Sequence, residues 1–273
     1  MTIAETAYAK INLALHVRGL REDGYHELET LFAFVDAGDT LTARMAEQDS
    51  VETIGEFATG LTNPFDNLVA KALNSLPHPN GIAITLEKNL PVAAGLGGGS
   101  ADAGAVFRIV REMHGLPEDW QARAAKLGAD VPACVESRTC IGRGTGTELE
   151  PIDNDLAGTP VLLVNPRVAL ATGPVFEAWY KNWRIDAGPL PEGTAKDIAY
   201  YGKNSLELPA GELVPEIDAV LERLRVTDAI LARMSGSGAT CFALYANAAD
   251  RDYAANQVKQ RHPEWWLMKG ALR

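Results

Sequence analysis

The chain has 273 residues, of which 47% are hydrophobic and 22% charged, and this composition is typical of a globular protein with one large domain or two modest ones. Its 25 basic and 36 acidic side chains give a formal net charge of −11, which disfavours general binding to nucleic acids or anionic membranes because both need a basic face. The same charge is compatible with an anionic small substrate, since one local patch can oppose the overall field.

Several further features predict a cytoplasmic protein. No apolar run approaches the roughly 18 residues that a membrane-spanning helix needs. The first ten residues, MTIAETAYAK, lack the basic segment and apolar core of a signal peptide. Cys134, Cys140 and Cys241 form no CxxC pair and match no usual zinc spacing. We therefore expect small buried thiols in a reducing compartment.

The first half of the chain predicts strands followed by helices. Alternating apolar residues from Ile11 to Val17 indicate a strand, a turn is expected over 21–28, and the strand pattern resumes from residue 28. Further along the chain, the predicted elements are a helix over 66–76 after Asn63-Pro64, a strand over 82–88, a helix over 100–114 ended by Gly115, a short helix over 120–127, and a strand, turn and strand over 139–152.

The composition changes near residues 152–160, which predicts two domains, 1–153 and 154–273. In the second domain the predicted elements are a strand over 161–166, a helix over 172–183, an irregular segment over 190–204, a helix over 212–225, a glycine turn and strand over 233–246, a helix over 249–262 and a strand over 265–272. Strands and helices mix without a regular βαβα repeat, so the predicted class is α+β in two layers.

A glycine-rich segment, LPVAAGLGGGSADAG (90–104), is the strongest single feature. Glycines crowd between Gly95 and Gly99, and an apolar helix pattern begins at Ser100, which suits the N-cap position. Clustered glycines let backbone N–H groups turn toward one anion, and the helix N-terminus adds a positive dipole end. The segment matches neither the P-loop nor GxGxxG. It indicates either a phosphate-binding loop or a turn that caps an ordinary helix.

Three weaker features carry chemistry only in combination. Lys10 and Asn12 project from the same face of the first predicted strand, where they would either position a hydroxyl for phosphoryl transfer or simply face solvent. Asp130 either accepts a proton from an alcohol or closes an Asx-turn. SGSGAT (235–240) either brings backbone close to a ligand or makes a tight turn, and neither of its serines lies in a GxSxG nucleophile elbow.

Four segments in this order resemble the GHMP kinase superfamily, and most specifically its 4-diphosphocytidyl-2-C-methyl-D-erythritol kinase family. They are residues 9–32 with DGYHEL, the loop at 90–104, GADVP at 128–132 and SGSGAT at 235–240. The resemblance covers nearly the whole chain. It implies a two-domain α+β fold, with an N-terminal half whose topology is shared with a ribosomal protein domain and a C-terminal ferredoxin-like α/β sandwich.

The resemblance also implies an activity: ATP-dependent phosphorylation of the 2-hydroxyl of a cytidine-diphosphate-linked methylerythritol, a step in non-mevalonate isoprenoid precursor synthesis. Asp130 would be the catalytic base and Lys10 its partner. ATP and Mg²⁺ would be the cofactors, with Ser100 a candidate Mg²⁺ contact, and the only partner would be the small-molecule substrate. The sequence leaves open whether the protein is a monomer or a homodimer.

Ligand-binding positions carry over from the family in the same way. The expected ATP-binding residues are Pro91, Val92, Ala93, Ala94, Gly95, Leu96, Gly97, Gly98, Gly99 and Ser100, with Asn67 and Lys88 near the nucleoside. The expected substrate-binding residues are Asn12 at the methylerythritol end, Tyr25 and Phe176 on the two faces of the cytosine ring, His26 at its edge, and Thr172 near the phosphates. The sequence departs from related kinases at Ala93 and Ala94, where glycine is frequent.

Three other functions remain as alternatives. The nearest is a GHMP kinase for another small alcohol such as homoserine or mevalonate, which the DGYH segment and its stacking aromatic disfavour. A nucleotide-binding regulatory protein without catalysis is disfavoured by the presence of Lys10, Asp130 and the glycine-rich loop. An RNA-binding protein is disfavoured by the net charge of −11.

Overall fold

The computed structural model describes residues 2–60 and 67–273, and the chain divides into two compact units. Unit 1 comprises Met1–Lys10, Ala37–Val92 and Gly97–Ser137. Unit 2 comprises Ile11–Asp36, Ala93–Leu96 and Arg138–Arg273. The chain therefore passes between the units more than once, and the boundary expected between residues 153 and 154 stays a prediction.

Two long strands, β1 and β2, supply residues to both units. The strands that contribute to unit 1 are β1 (Thr2–Leu20), β2 (His26–Ala46), β3 (Ser50–Ile54) and β4 (Gly81–Glu87). Within unit 1, β3 runs parallel to β4, and β4 pairs antiparallel with residues 40–46 of β2. Buried apolar side chains such as Leu41 and Leu86 lie directly opposite each other in that pairing, which fixes its register.

The described part of unit 1 also contains four α-helices: α1 (Leu68–Ser75), α2 (Gly98–His114), α3 (Trp120–Leu127) and α4 (Val131–Glu136). Helix α2 packs against both α1 and α4. Where α2 meets α4, a Cβ added to Gly104 would lie only 2.6 Å from the carbonyl carbon of Cys134. Glycine at this position lets the two backbones approach closely and so fixes where α4 begins relative to α2.

Unit 2 contains a hairpin and a four-stranded sheet. Residues 28–32 of β2 pair antiparallel with β5 (Cys140–Gly144), which pairs with β6 (Glu148–Pro151). The four-stranded sheet consists of β7 (Pro160–Asn165), β8 (Leu231–Met234), β9 (Cys241–Leu244) and β10 (Trp266–Ala271). All its pairings are antiparallel, in the order β10-β7-β9-β8.

The helices of unit 2 follow the pattern of a ferredoxin-like sandwich. They are α5 (Thr172–Ala178), which continues as a π-helical turn over Trp179–Trp183, then α6 (Ala195–Tyr201), α7 (Glu207–Leu213), α8 (Glu216–Arg225) and α9 (Ala248–Arg261). Helices α5 to α8 connect β7 to β8, and α9 connects β9 to β10. This βαββαβ order and the sheet order confirm the predicted C-terminal architecture.

The structure confirms most predicted elements and corrects four. Residues 190–204 are not irregular throughout, because α6 forms there behind a capping box between Thr194 and Asp197. Helix α4 was not predicted. The helix expected over 212–225 is interrupted at Val214-Pro215, since the residue before proline avoids the helical conformation. The helix expected from Ser100 begins at Gly98.

Three further expectations concern a helix start, the cysteines and membrane-spanning segments. The start of the helix predicted over 66–76, with its Asn63-Pro64 signal, lies outside the described residues. The three cysteines are buried and free, as expected. Among the helices that the structure describes, none is long and apolar enough to cross a membrane.

Candidate active site

An ion pair between Lys10 and Asp130 is the first group of chemical interest in unit 1. Lys10 Nζ lies 3.0 Å from Asp130 Oδ2. The Lys10 side chain is only 6% exposed, so it does not lie on a solvated strand face, whereas that of Asp130 is 32% exposed and accessible. Asp130 immediately precedes α4, but among the described residues its side chain makes no capping hydrogen bond. The Asx-turn alternative is therefore not what the structure shows.

Gly97 adjoins this ion pair and starts α2. Its φ of +60° is left-handed, and its carbonyl accepts the N–H of Ala101 at 2.7 Å. A Cβ at Gly97 would lie 2.9 Å from Lys10 Cε and 3.7 Å from Asp130 Oδ2. The glycine thus leaves room for the pair directly beside the positive end of a helix. The expectation that Ser100 is the N-cap was wrong: Gly97 takes that position, and Ser100 lies in the first turn.

The glycine loop, residues 91–97, connects β4 to α2. Ala93 has a φ of +53°, a conformation that costs a non-glycine residue roughly 1 kcal/mol or more. This explains why glycine is the easier residue at that position. Within unit 2, the Gly95 carbonyl accepts the Ser235 hydroxyl at 2.7 Å, and the Ala94 carbonyl accepts the Thr240 N–H at 3.2 Å. A Cβ at Gly95 would lie 2.3 Å from the Ser235 carbonyl oxygen, so only glycine fits.

A second charged group in unit 1, the buried triad, consists of Asp39, Lys88 and Asp102. Lys88 Nζ donates to Asp39 Oδ2 and, at 2.8 Å, to Asp102 Oδ2. Burial alone would lower the pKa of Lys88, but the carboxylates of Asp102 and Asp39 raise it above its ordinary value. Burial raises the pKa of Asp102 to about 8, against the opposing influence of Lys88. The two carboxyl groups thus share one buried ammonium.

Asn12 and the SGSGAT segment contact each other within unit 2. The Ser235 hydroxyl accepts the backbone N–H of Asn12 at 3.2 Å. The Asn12 side chain is buried and donates to the Thr30 hydroxyl at 2.7 Å, which in turn donates to the Ala14 carbonyl. SGSGAT is thus more than a tight turn, because Ser235 joins the strand that carries Asn12 to the loop residue Gly95.

A cavity of about 500 Å³ in unit 2 brings together four of the five predicted substrate-binding residues. Its lining residues are Leu20, Gly24, Tyr25, His26, Leu28, Thr145, Thr172, Gly173, Phe176, Glu177 and Tyr180. The predicted members are Tyr25, His26, Thr172 and Phe176; Asn12 does not line it. This size and mixture of aromatic and polar groups are typical of small-molecule sites. Sequence reasoning missed Tyr180 and Glu177, which lie on the same helical segment as Phe176.

The aromatic side chains in this cavity are arranged around His26. Its ring stacks on Phe176 with centroids 4.5 Å apart, and the Trp179 ring is nearly perpendicular to it with centroids 5.6 Å apart. Burial lowers the pKa of His26, so the ring is neutral at physiological pH. Its Nε2 is buried without a hydrogen-bond partner among the described residues. Tyr25 is 66% exposed, and its pairing with Phe176 around a base stays a prediction.

The remaining predicted residues have identified structural contacts. Asn67 is the N-cap of α1 and accepts the Val69 N–H at 2.9 Å. The Thr172 hydroxyl lies 2.9 Å from that of Ser237, which ties it to the SGSGAT segment. The Lys88 ammonium is bonded to Asp39 and Asp102 in the buried triad. If Lys88 lies near the nucleoside of ATP, as predicted, its ammonium is therefore already paired. Roles for these residues toward ATP and substrate stay predictions.

Comparison with known proteins covers both units. The family model for the GHMP kinases N terminal domain matches residues 67–138, and the model for the GHMP kinases C terminal matches residues 192–264. A 4-diphosphocytidyl-2-C-methyl-D-erythritol kinase from Novosphingobium aromaticivorans is 67% identical over 273 residues, covering 100% of this chain and 94% of the relative. A kinase of the same name from Erythrobacter litoralis is 64% identical, covering 99% and 100%.

This chain belongs to the 4-diphosphocytidyl-2-C-methyl-D-erythritol kinase family. A crystal structure of a 4-(cytidine 5'-diphospho)-2C-methyl-D-erythritol kinase is 33% identical with a TM-score of 0.84, covering 99% of both chains. A homoserine kinase from Cytophaga hutchinsonii is 19% identical with a TM-score of 0.69, covering 99% of this chain and 95% of its own. The second likeness shows a shared fold alone. The predicted two-domain GHMP kinase fold is confirmed.

Proposed function

We propose that this chain transfers the γ-phosphoryl group of ATP to the 2-hydroxyl of 4-diphosphocytidyl-2-C-methyl-D-erythritol. The observation that carries the proposal is the Lys10–Asp130 pair beside Gly97, at the positive end of α2. Phosphoryl transfer asks a protein mainly to position charged groups and a nucleophile. A carboxylate, an ammonium and a helix N-terminus at one place meet that demand.

Asp130 is the proposed general base. Its partly exposed carboxylate accepts the proton of the attacking hydroxyl while that oxygen bonds to the γ-phosphorus and the bond to the ADP oxygen breaks. Lys10 is held by Asp130 and stabilises the negative charge that spreads over the transferring group. The products are ADP and the 2-phosphorylated acceptor.

The glycine loop is the proposed site for the ATP phosphates. Gly95 and Gly97 have no room for a Cβ because Ser235 and Lys10 pack against them, and both have positive φ. Glycines in such a turn can direct successive backbone N–H groups toward one anion. Mg²⁺ fits this site as an ion carried by the phosphates, because it is usually bound by few protein ligands and substrate oxygens. We propose the Ser100 hydroxyl as its contact; bound there, the ion would neutralise phosphate charge.

The cavity of unit 2 is the proposed site for the cytidyl group. Phe176 and Tyr25 supply stacking surface, which holds any base, so discrimination falls to polar contacts. Neutral His26 has an unpartnered buried Nε2 and is the proposed reader of the base edge. Asn12 is proposed to orient the methylerythritol end and Thr172 the phosphates. We also propose a cytoplasmic location, which the three buried free thiols support.

A coupled assay tests this function. ATP consumption is measured with the cytidyl substrate, homoserine and mevalonate in parallel, and the product is identified by mass spectrometry. We expect turnover with the cytidyl compound and none above background with the other two. Comparable turnover of homoserine or mevalonate would refute the proposed acceptor, and no turnover with any of the three would refute the proposed function.

A further inference from the structure

The buried triad adjoins both ends of the glycine loop. Its three side chains are almost inaccessible, with exposed fractions of 0% for Asp39, 3% for Lys88 and 4% for Asp102. Removing buried charged groups from water is costly, and well-packed apolar residues would serve stability equally well. A role in stability alone therefore does not explain why these three charged residues occur together here.

Asp39 holds the start of the loop. Its Oδ1 accepts the N–H of Asn89 at 2.6 Å and that of Leu90 at 2.7 Å. These are the last two residues before the loop begins at Pro91. A carboxylate oxygen that accepts two consecutive N–H groups fixes the direction in which the backbone leaves β4.

Lys88 connects Asp39 to the end of the loop. Its ammonium bonds to Asp39 and also to Asp102, which lies in the first turns of α2. A Cβ added to Gly98, the first residue of that helix, would lie 3.5 Å from Lys88 Nζ. Asp39 therefore contacts the residues before the loop, and Lys88 and Asp102 lie at the helix that follows it.

We propose that Asp39 is a positioning residue for the glycine loop, acting through Lys88 and Asp102 to fix the distance between the two ends of the loop. A loop with fixed ends keeps its N–H groups directed at the phosphates before ATP arrives, which reduces the ordering cost of binding. The proposal goes beyond the proposed function in naming a residue that touches neither ligand, and it rests on that function for the identity of the anion.

The decisive variant is Asp39→Asn, which keeps an acceptor for the Asn89 and Leu90 N–H groups but removes the charge that pairs with Lys88. Asp102→Asn is the milder second variant, because an amide oxygen still accepts from Lys88. Glu5→Gln is the matched control: it breaks the Glu5–Arg108 ion pair at 2.7 Å, which is also largely buried in unit 1 but does not involve the loop.

Three measurements are made on each variant. The first is amide hydrogen exchange over residues 91–100 in the ligand-free protein. The second is a comparison of KM for ATP with KM for the acceptor, and the third is the melting temperature. For Asp39→Asn we expect faster exchange in the loop and a rise of about tenfold in KM for ATP, with KM for the acceptor nearly unchanged. Asp102→Asn should show smaller changes of the same kind, and Glu5→Gln should lower only the melting temperature.

The proposal is overturned if loop exchange in Asp39→Asn matches that in Glu5→Gln, or if both KM values rise together. If Asp39→Asn does not fold, Asp102→Asn decides by the same two criteria. The exchange measurement needs neither ATP nor acceptor. An inactive wild-type protein would therefore refute the proposed function, while the exchange data would still support or overturn the role of Asp39.

Discussion

The candidate sites of the two units differ in the kind of side chain they contain: charged groups in unit 1 and aromatic groups in the cavity of unit 2. In unit 1, Lys10, Asp130 and the buried triad are charged, and they pair with one another at hydrogen-bond distances. In unit 2, aromatic rings line the cavity together with aliphatic and polar groups, and Tyr25 is largely exposed. Fixed charges suit phosphoryl transfer to any alcohol, whereas a shaped aromatic cavity distinguishes one acceptor from another. We infer that chemistry and specificity are assigned to different parts of the chain.

Replacing Asp130 with Asn should have the largest effect. Without the proton acceptor, kcat should fall by roughly a thousandfold, while ATP and acceptor still bind. Steady-state kinetics and equilibrium binding measure the two effects. Asp119→Asn, at an exposed ion pair in the same unit, is the matched control and should behave as wild type. Near-normal turnover in Asp130→Asn would remove this residue from catalysis.

Replacing Phe176 with Ala should come next. Loss of a base-stacking surface should raise KM for the cytidyl acceptor by about ten- to a hundredfold, with KM for ATP unchanged. His26→Ala should show the same selectivity. Tyr201→Ala, an exposed aromatic that does not line the cavity, is the control. Equal weakening of ATP and acceptor would mean that these residues only maintain the structure.

Gly97 and Gly115 offer a matched pair at the two ends of α2. Both have positive φ, so alanine at either should lower stability, measured by urea unfolding: roughly 1 kcal/mol at Gly97, whose ψ of 25° is left-handed helical, and more at Gly115, whose ψ of 168° lies in a region that essentially only glycine adopts. Only at Gly97 does the new Cβ approach Lys10, since nothing lies within 4 Å at Gly115. We therefore expect kcat to fall about tenfold in Gly97→Ala and not in Gly115→Ala. Equal activity in the two variants would contradict the placement of Lys10 beside the loop.

The smallest expected effect concerns the dependence of stability on pH through His16. Its Nδ1 donates to the Gly188 carbonyl at 3.0 Å and its Nε2 accepts the Lys203 N–H at 3.2 Å, so the ring is neutral. Burial lowers the pKa of His16 below 6.5. The unfolded chain binds a proton at a higher pH than the folded one, so this stabilisation is present above pH 6.5 and is lost as pH falls.

Urea unfolding of wild type and His16→Gln between pH 7.5 and pH 5.5 measures this contribution. The loss of stability on acidification should be smaller in His16→Gln than in wild type. His262→Gln, at a half-buried histidine far along the chain from His16, is the control and should follow wild type. Identical pH dependence in all three proteins would show that His16 does not contribute.

The sequence predicted the fold better than it predicted burial. The alternation from Ile11 to Val17 correctly predicted β1. It left open whether Lys10 and Asn12 face solvent. Both are buried because Asp130 and Ser235, far away in the sequence, contact them. Alternation along a strand predicts which face each side chain lies on, but it does not predict whether another part of the chain packs against that face. The spacing of Thr194 and Asp197 is that of a capping box and could have predicted the start of α6. The mixed composition of 190–204 instead predicted an irregular segment.

The candidate site was predicted in part for a related reason. Motifs marked the glycine loop, Asp130 and His26, because each stands in a distinctive local pattern. Asp39 has no such pattern, and its importance depends on Lys88 and Asp102. Likewise, Tyr180 lines the cavity because of how the helical segment after Thr172 folds, and no motif marks it in the sequence. Local sequence patterns do not predict contacts between residues that are distant in the sequence.

Calorimetric titration of ATP and of the cytidyl acceptor into Asp130→Asn and Phe176→Ala tests the division of labour most directly. We predict that Asp130→Asn binds both ligands nearly as tightly as wild type, and that Phe176→Ala binds ATP normally but loses affinity for the acceptor by about tenfold or more. Loss of ATP binding in Phe176→Ala, or loss of acceptor binding in Asp130→Asn comparable to that in Phe176→Ala, would contradict the account.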